Sequence, residues 1–156
     1  MNIRSFDQKL GKLLRALSVL SLSALFVLLI GNVFFRFVPI FSFGWFDEIV
    51  ELMFAYFVFY GAAALWREKE HFQVYFIPSK LKGKWRKAID TMIDVINIAF
   101  LSMLFYYGLD LTIRAADWTP IFKLPKRIWY SCIPISSLLM LIYSTFSLYS
   151  RFKKEA

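Results

Sequence analysis

The chain of 156 residues holds one histidine, His71, and one cysteine, Cys132. That scarcity removes most of the metal and redox chemistry open to a small protein. A zinc site draws on about four clustered ligands, and a bis-histidine haem needs a second imidazole. Cys132 lacks a second thiol for a disulfide or redox pair and is expected as a small buried side chain. No glycine-rich phosphate loop lies between a strand and a helix, and no nucleophile stands beside a base. The expectation is a protein that is not an enzyme, with no catalytic, cofactor-binding or metal residues and no cofactor.

What remains is charge and amide chemistry: Asn32 and Arg36, then Asp47, Glu48 and Glu51, then Asp90 and Asp94. Their meaning depends on the elements that carry them. The composition is 59% hydrophobic and 20% aromatic with a mean hydropathy of +0.55, above the roughly 45–50% apolar content of soluble domains. A bilayer span needs about 20 consecutive apolar residues, and four stretches supply them, near residues 13–35, 46–66, 88–109 and 129–149. The fold class is therefore all-α, with four transmembrane helices in a single membrane domain covering residues 1–156. The first stretch is too long for a signal-peptide h-region and lacks a small-residue cleavage pattern, so it is expected to remain as a helix.

The 19 Lys and Arg residues behind the net charge of +8 are divided unevenly. Fourteen fall before the first span, between spans two and three, or after span four; Arg36, Arg114, Lys123, Lys126 and Arg127 fall on the other side. Positive charge marks the cytoplasm, so both termini are expected inside. Charges placed this way are topology signals touching anionic lipid rather than a nucleic-acid surface, and no nucleic-acid partner is expected.

At about 100° per residue, Ser18, Ser21, Leu25, Asn32 and Arg36 share one face of span one. Asp90, Asp94, Asn97, Leu101, Leu104 and Gly108 share one face of span three. In span two, Glu48, Glu51, Ala55, Val58 and Ala62 fall opposite Phe46, Ile49, Met53, Phe57 and Tyr60. Small and polar residues favour close helix approach, so the first-named faces are the expected packing faces, and the aromatic face of span two is open to lipid or a partner. Trp45, Trp66, Trp85 and Trp129 stand near span ends, where indoles favour the interfacial layer.

Asn32, Arg36, Glu48, Glu51 and Asp94 are the candidate polar contacts between helices or subunits. Arg36 is expected near Glu48 or near an acidic residue of another chain, since charge at membrane depth demands a partner. Asp47, Glu48 and Glu51 open span two and Asp90 and Asp94 open span three, where the helix dipole favours negative charge. A structural role is expected for them ahead of an ion path. In the connection 71–87, Lys80, Lys82, Lys84, Trp85 and Arg86 are candidate lipid-surface contacts, each basic residue contributing about 1 kcal/mol near anionic headgroups.

Several ordered landmarks run along the chain: Asn32-Val33-Phe34-Phe35-Arg36 closing span one, Trp45-Phe46-Asp47-Glu48 opening span two, Gly61-Ala62-Ala63 near its end, then Arg67, His71 and Pro78, and later Pro120, Pro125, Trp129-Tyr130 and Pro134. In this order and spacing the chain resembles the small, four-helix Q-type membrane subunit of tripartite ATP-independent periplasmic (TRAP) transporters. The chain departs from the usual pattern around the histidine, with Glu70 before it and Gln73-Val74-Tyr75 after it, which weakens any role for His71.

The resemblance implies a bacterial inner-membrane uptake system of three parts. A periplasmic binding protein captures an organic acid anion, and a large M-type membrane subunit binds the substrate and sodium and moves them. The small subunit is a scaffold. Sialic acid, C4-dicarboxylates, sugar acids and keto acids are all compatible with it, sialic acid being a weak preference that no residue here proves. Two other classes stay open: an autonomous small four-helix transporter, and a membrane anchor of another complex. Span one lacks the embedded carboxylate that a self-sufficient proton-coupled exporter would need.

Overall fold

The computed structural model describes residues 3–37, 44–68 and 84–153. Among the described residues the helices are α1 (Ile3–Phe37), α2 (Phe46–Glu68), α3 (Lys84–Arg114), α4 (Arg127–Tyr130) and α5 (Cys132–Lys153). Four helical stretches among them are long and apolar enough to cross a membrane: Asp7–Phe35, Phe46–Glu68, Ala88–Arg114 and Arg127–Tyr149, the last running through α4 into α5. An apolar segment in lipid must satisfy its backbone internally, and a helix does so at every interior residue. The expected four-helix architecture is therefore the one observed, with the first helix beginning well before its apolar span.

Local chemistry sets the ends. Asp47 and Glu48 occupy the first turn of α2 and Arg67 its last, each sign opposing the helix dipole at its terminus. Arg114 at the end of α3 pairs with Asp110 one turn earlier, at 2.7 Å. Pro134 is the third residue of α5, where a missing N–H is tolerated because first-turn donors have no intrahelical partner. The bond from Ile135 N to Ser131 O, at 3.3 Å, carries the backbone across the junction between α4 and α5.

The helices pack in a row. Among the described residues α1 packs on α2, α2 on α5 and α5 on α3, while α1 and α3 do not meet. The order α1–α2–α5–α3 is open, and it corrects the picture of one packed face per helix. The core follows the middle of the row: Leu14 of α1, Tyr60, Ala63 and Ala64 of α2, Leu101 of α3, and Cys132 and Met140 of α5 are buried together. Cys132 is fully buried, as expected, its thiol donating to the Trp129 carbonyl oxygen at 3.2 Å.

The expected face of α1 holds at Ser18, Ser21 and Leu25, which are buried. A Cβ on Gly61 would meet Ser18 Oγ at 2.8 Å, so the two backbones approach closely where both residues are small. Asn32 is exposed, because the antiparallel register marked by Arg67 on Asp7 and by Ser18 on Phe57 runs past the start of α2. On α3, Leu101 and Gly108 are buried and Asp90, Asp94, Asn97 and Leu104 half-buried, in keeping with the expected face. The division of α2 is overturned: Phe46 and Tyr60 are buried, whereas Glu51 and Val58 are exposed. α2 has a neighbour on each side, so no single face of it is the packed one.

Candidate functional site

Two polar staples close the row, one at each end. At the end carrying both termini, Asp7 of α1, Arg67 of α2 and Tyr143 of α5 converge. Arg67 donates through Nε to Asp7 Oδ1 at 3.0 Å and through Nη2 to Oδ2 at 2.6 Å, a bidentate fork that fixes orientation as well as attraction. The Tyr143 hydroxyl donates to Asp7 Oδ1 at 2.6 Å, tying α5 to α1 across α2. Gly11 makes room for the guanidinium, since a Cβ there would meet Arg67 Cζ at 2.6 Å. Arg15 pairs with Glu68 one turn along, and Trp66 Nε1 donates to Ser144 Oγ at 2.7 Å.

Asp7 is 38% exposed on its side chain, so solvent screens part of the interaction. Asp7→Ala is expected to cost about 1–2 kcal/mol, below the upper range for charged hydrogen bonds, and Tyr143→Phe about 0.5–1.5 kcal/mol. A double-mutant cycle read by unfolding in detergent checks whether the three act together; strict additivity would show that they do not.

The opposite end is built around Glu48. Residues 115–126 turn back on themselves between α3 and α4, with an isolated antiparallel bridge between Trp118 and Pro125. Thr119 N donates to Leu124 O at 2.9 Å, and Lys126 N to Asp117 O at 3.0 Å. The buried Glu48 carboxylate accepts from Ile121 N at 2.7 Å and from Phe122 N at 3.2 Å. Gly44 lets the turn settle on the start of α2, since a Cβ there would meet Ile121 Cδ1 at 2.8 Å.

Trp129 completes this staple. It is 3% exposed, and its Nε1 donates to the Glu48 carbonyl oxygen at 3.1 Å. The Tyr56 hydroxyl donates to Ile128 O at 3.1 Å. The short helix α4 is thus bound to α2 through two side chains, and the indole of Trp129 faces protein instead of the interfacial layer expected of it.

Of the candidate polar contacts, Glu48 forms an inter-element contact, with backbone donors of the 115–126 turn. Its expected partner, Arg36, has a side chain outside the described residues. Glu51 is exposed, Asp94 half-buried and Asn32 exposed, and none of these joins the Glu48 staple. Lys80 and Lys82 lie outside the described residues, as do the side chains of Lys84 and Trp85; Arg86 is exposed near the start of α3. His71 and Pro78 also lie outside them. Asp7, Arg67 and Tyr143 were not singled out by sequence reasoning as a site, although Arg67 was counted among the topology charges. Among the described residues no group of three or more His, Cys, Asp or Glu side chains is placed to hold a metal.

The arrangement is a set of mechanical fastenings between helices. No curated protein matches the chain. The profile of the family described as "Tripartite ATP-independent periplasmic transporters, DctQ component" matches residues 25–154, a stretch that takes in the C-terminal part of α1, all of α2, α3, α4 and α5, and the Glu48 staple. A row of four membrane-length helices fastened at both ends, matched over most of its length by this profile, belongs to the DctQ family of TRAP transporter small subunits.

Proposed function

We propose that the chain is the stationary frame subunit of a sodium-coupled uptake system for an organic acid anion. It sits in the bacterial inner membrane as a single domain with both termini in the cytoplasm. A large membrane subunit binds substrate and sodium, and a periplasmic binding protein delivers the substrate. The observation that carries this reading is the open row: α2 is tied at one end to α5 through Trp66 and Ser144 and at the other to α4 and the 115–126 turn, while the outer helices leave long apolar faces uncovered. A rigid, one-helix-thick slab extends a transport subunit sideways and gives a moving element something fixed to work against.

Asn32, Arg36 and Glu51 are proposed as contacts to the large subunit, since a polar group at membrane depth needs a partner, and Asp94 as a polar contact within the bundle or to that subunit. Lys80, Lys82, Lys84, Trp85 and Arg86 are proposed as contacts to cytoplasmic-leaflet phospholipid. Sialic acid is the first substrate to test. The experiment is sodium-driven uptake in proteoliposomes carrying this chain, its large subunit and the binding protein, with the chain omitted in parallel and its C-terminus located by a reporter fusion. Uptake only with all components, with a cytoplasmic C-terminus, supports the reading. Uptake by this chain alone would make it an autonomous transporter, and undiminished uptake without it would remove the frame role.

A further inference from the structure

The turn between α3 and α4 has a bonded partner for every backbone N–H from Thr119 to Lys126. Pro120 and Pro125 carry no N–H. Thr119 N and Lys126 N close the antiparallel bridge, Lys123 N donates to Thr119 O at 3.1 Å, and Leu124 N donates to Thr119 Oγ1 at 3.1 Å. Ile121 N and Phe122 N are taken up by the Glu48 carboxylate. An irregular segment standing in water has no need of this, because water supplies the missing partners. A segment entering an apolar layer does need it, since each unmet backbone group is costly there.

The outer surface of the same turn is apolar. Trp118 is 65% exposed, and Ile121, Phe122 and Leu124 are also exposed. Phe122 leans on Trp45 with ring centroids 6.3 Å apart, which extends the patch onto the start of α2. Cations are interleaved with it: Lys123 and Arg127 are exposed, Lys126 is half-buried, and Arg114 ends α3 nearby. Arg127 Nε is bound to Ala115 O at 2.9 Å across the base of the turn. Lys123 has a φ of 49°, a left-handed backbone that glycine would adopt without strain.

We propose that residues 118–124 form an interfacial wedge that inserts into the leaflet opposite both termini. Its apolar side chains lie at the boundary of headgroups and acyl chains, and Lys123 and Lys126 reach anionic phosphates. Position favours lipid as the occupant. The turn joins two membrane-length helices whose charged ends, Arg114 and Arg127, flank it, so it begins at headgroup depth. Aromatic rings mixed with lysines match that layer in both polarity and charge. Glu48 is then a positioning residue, supplying the two acceptors without which the turn could not leave water. The inference requires only that the helices span a bilayer, so it stands or falls separately from the transport role.

The test places a nitroxide at Trp118→Cys and, separately, at Leu124→Cys. The full chain is reconstituted in vesicles of phosphatidylethanolamine and phosphatidylglycerol, and the unsubstituted chain, whose Cys132 is buried, gives the labelling background. Collision with oxygen and with a water-soluble nickel chelate reports depth against lipids labelled at the headgroup and high on the acyl chain. Both labels are expected between those standards, with nickel access several-fold below that of a solvated label. Adding Glu48→Ala should raise nickel access several-fold. Glu48→Gln, which retains one carbonyl oxygen for the two N–H groups, should raise it less.

Nickel access equal to that of a solvated label in the otherwise unaltered chain would overturn the wedge, whether or not the Glu48 variants fold. Shielding that appears only after the large subunit or the binding protein is added would overturn it in favour of a protein contact. Depth unchanged on replacing phosphatidylglycerol by phosphatidylcholine would remove the role given to Lys123 and Lys126.

Discussion

Trp129→Ala is expected to destabilise the chain by about 3–5 kcal/mol, the range for truncating a large buried aromatic. The indole is 3% exposed, and it is one of the two side chains that hold α4 to α2, through the bond from its Nε1 to Glu48 O at 3.1 Å. Its loss opens a cavity where the buried indole meets the start of α2. Trp129→Phe separates the two contributions, since it keeps most of the apolar volume and removes the donor, at an expected cost of about 0.5–1.5 kcal/mol. Unfolding in detergent or nanodiscs reads both variants. An indole seated in the interfacial layer would lose far less on truncation, so a Trp129→Ala effect within about 0.5 kcal/mol, the usual size for surface positions, would contradict the buried placement.

Gly108→Leu should be the most damaging single change to α3. A Cβ at this position would already lie 2.6 Å from Ile133 Cγ2 and 3.5 Å from Pro134 Cδ. Neither atom is the free end of a flexible side chain: one is on a β-branched residue and the other closes a proline ring. Overpacking of this kind costs about 1–3 kcal/mol. The consequence is larger for α3 than for a central helix, because among the described residues α3 packs on α5 and the short α4 and has no second long neighbour. Gly31→Leu is the matched control, as nothing lies within 4 Å of a Cβ there. It should be neutral, or stabilising by up to about 1 kcal/mol through helix propensity. Equal responses at the two glycines would mean that the close approach of α3 to α5 is not maintained in the membrane.

The membrane-length helices were legible because hydrophobic length is a property of consecutive residues, and the bilayer sets that length. The packed face of α1 was legible because Ser18 and Ser21 stand out among Leu, Val and Phe on a helix with one long neighbour. α2 defeated the same reasoning. Placing residues at about 100° steps presumes one buried side, and a helix packed between α1 and α5 has two, so Phe46 and Tyr60 were assigned outward although they are buried.

Glu48 was recognised as a polar contact, but its partners are backbone N–H groups of Ile121 and Phe122, which leave no mark in residue type. The available signal was the pair Pro120 and Pro125, spaced as a tight turn would space them. Asp7, Arg67 and Tyr143 were hidden for a different reason. Arg67 and Tyr143 lie 60 and 136 positions from Asp7, and charges flanking a span are ordinarily topology signals, so nothing local distinguishes a stapled arginine from a solvated one.

The order of the helices in the row also has a bearing on biogenesis. α1 and α2 are sequence neighbours that pack together, and so are α3 and α5 apart from the turn and α4 between them. Each pair can form a helical hairpin as it leaves the ribosome, with the N-terminal pair complete before the second has been synthesised. The docking of α2 against α5 and α4 joins distant parts of the chain, and the Tyr143–Asp7, Trp66–Ser144 and Trp129–Glu48 bonds lie between the two hairpins. Insertion and assembly are therefore separable in time: four helices can enter the bilayer as two hairpins, and the polar contacts then act as the latches of a single late closure.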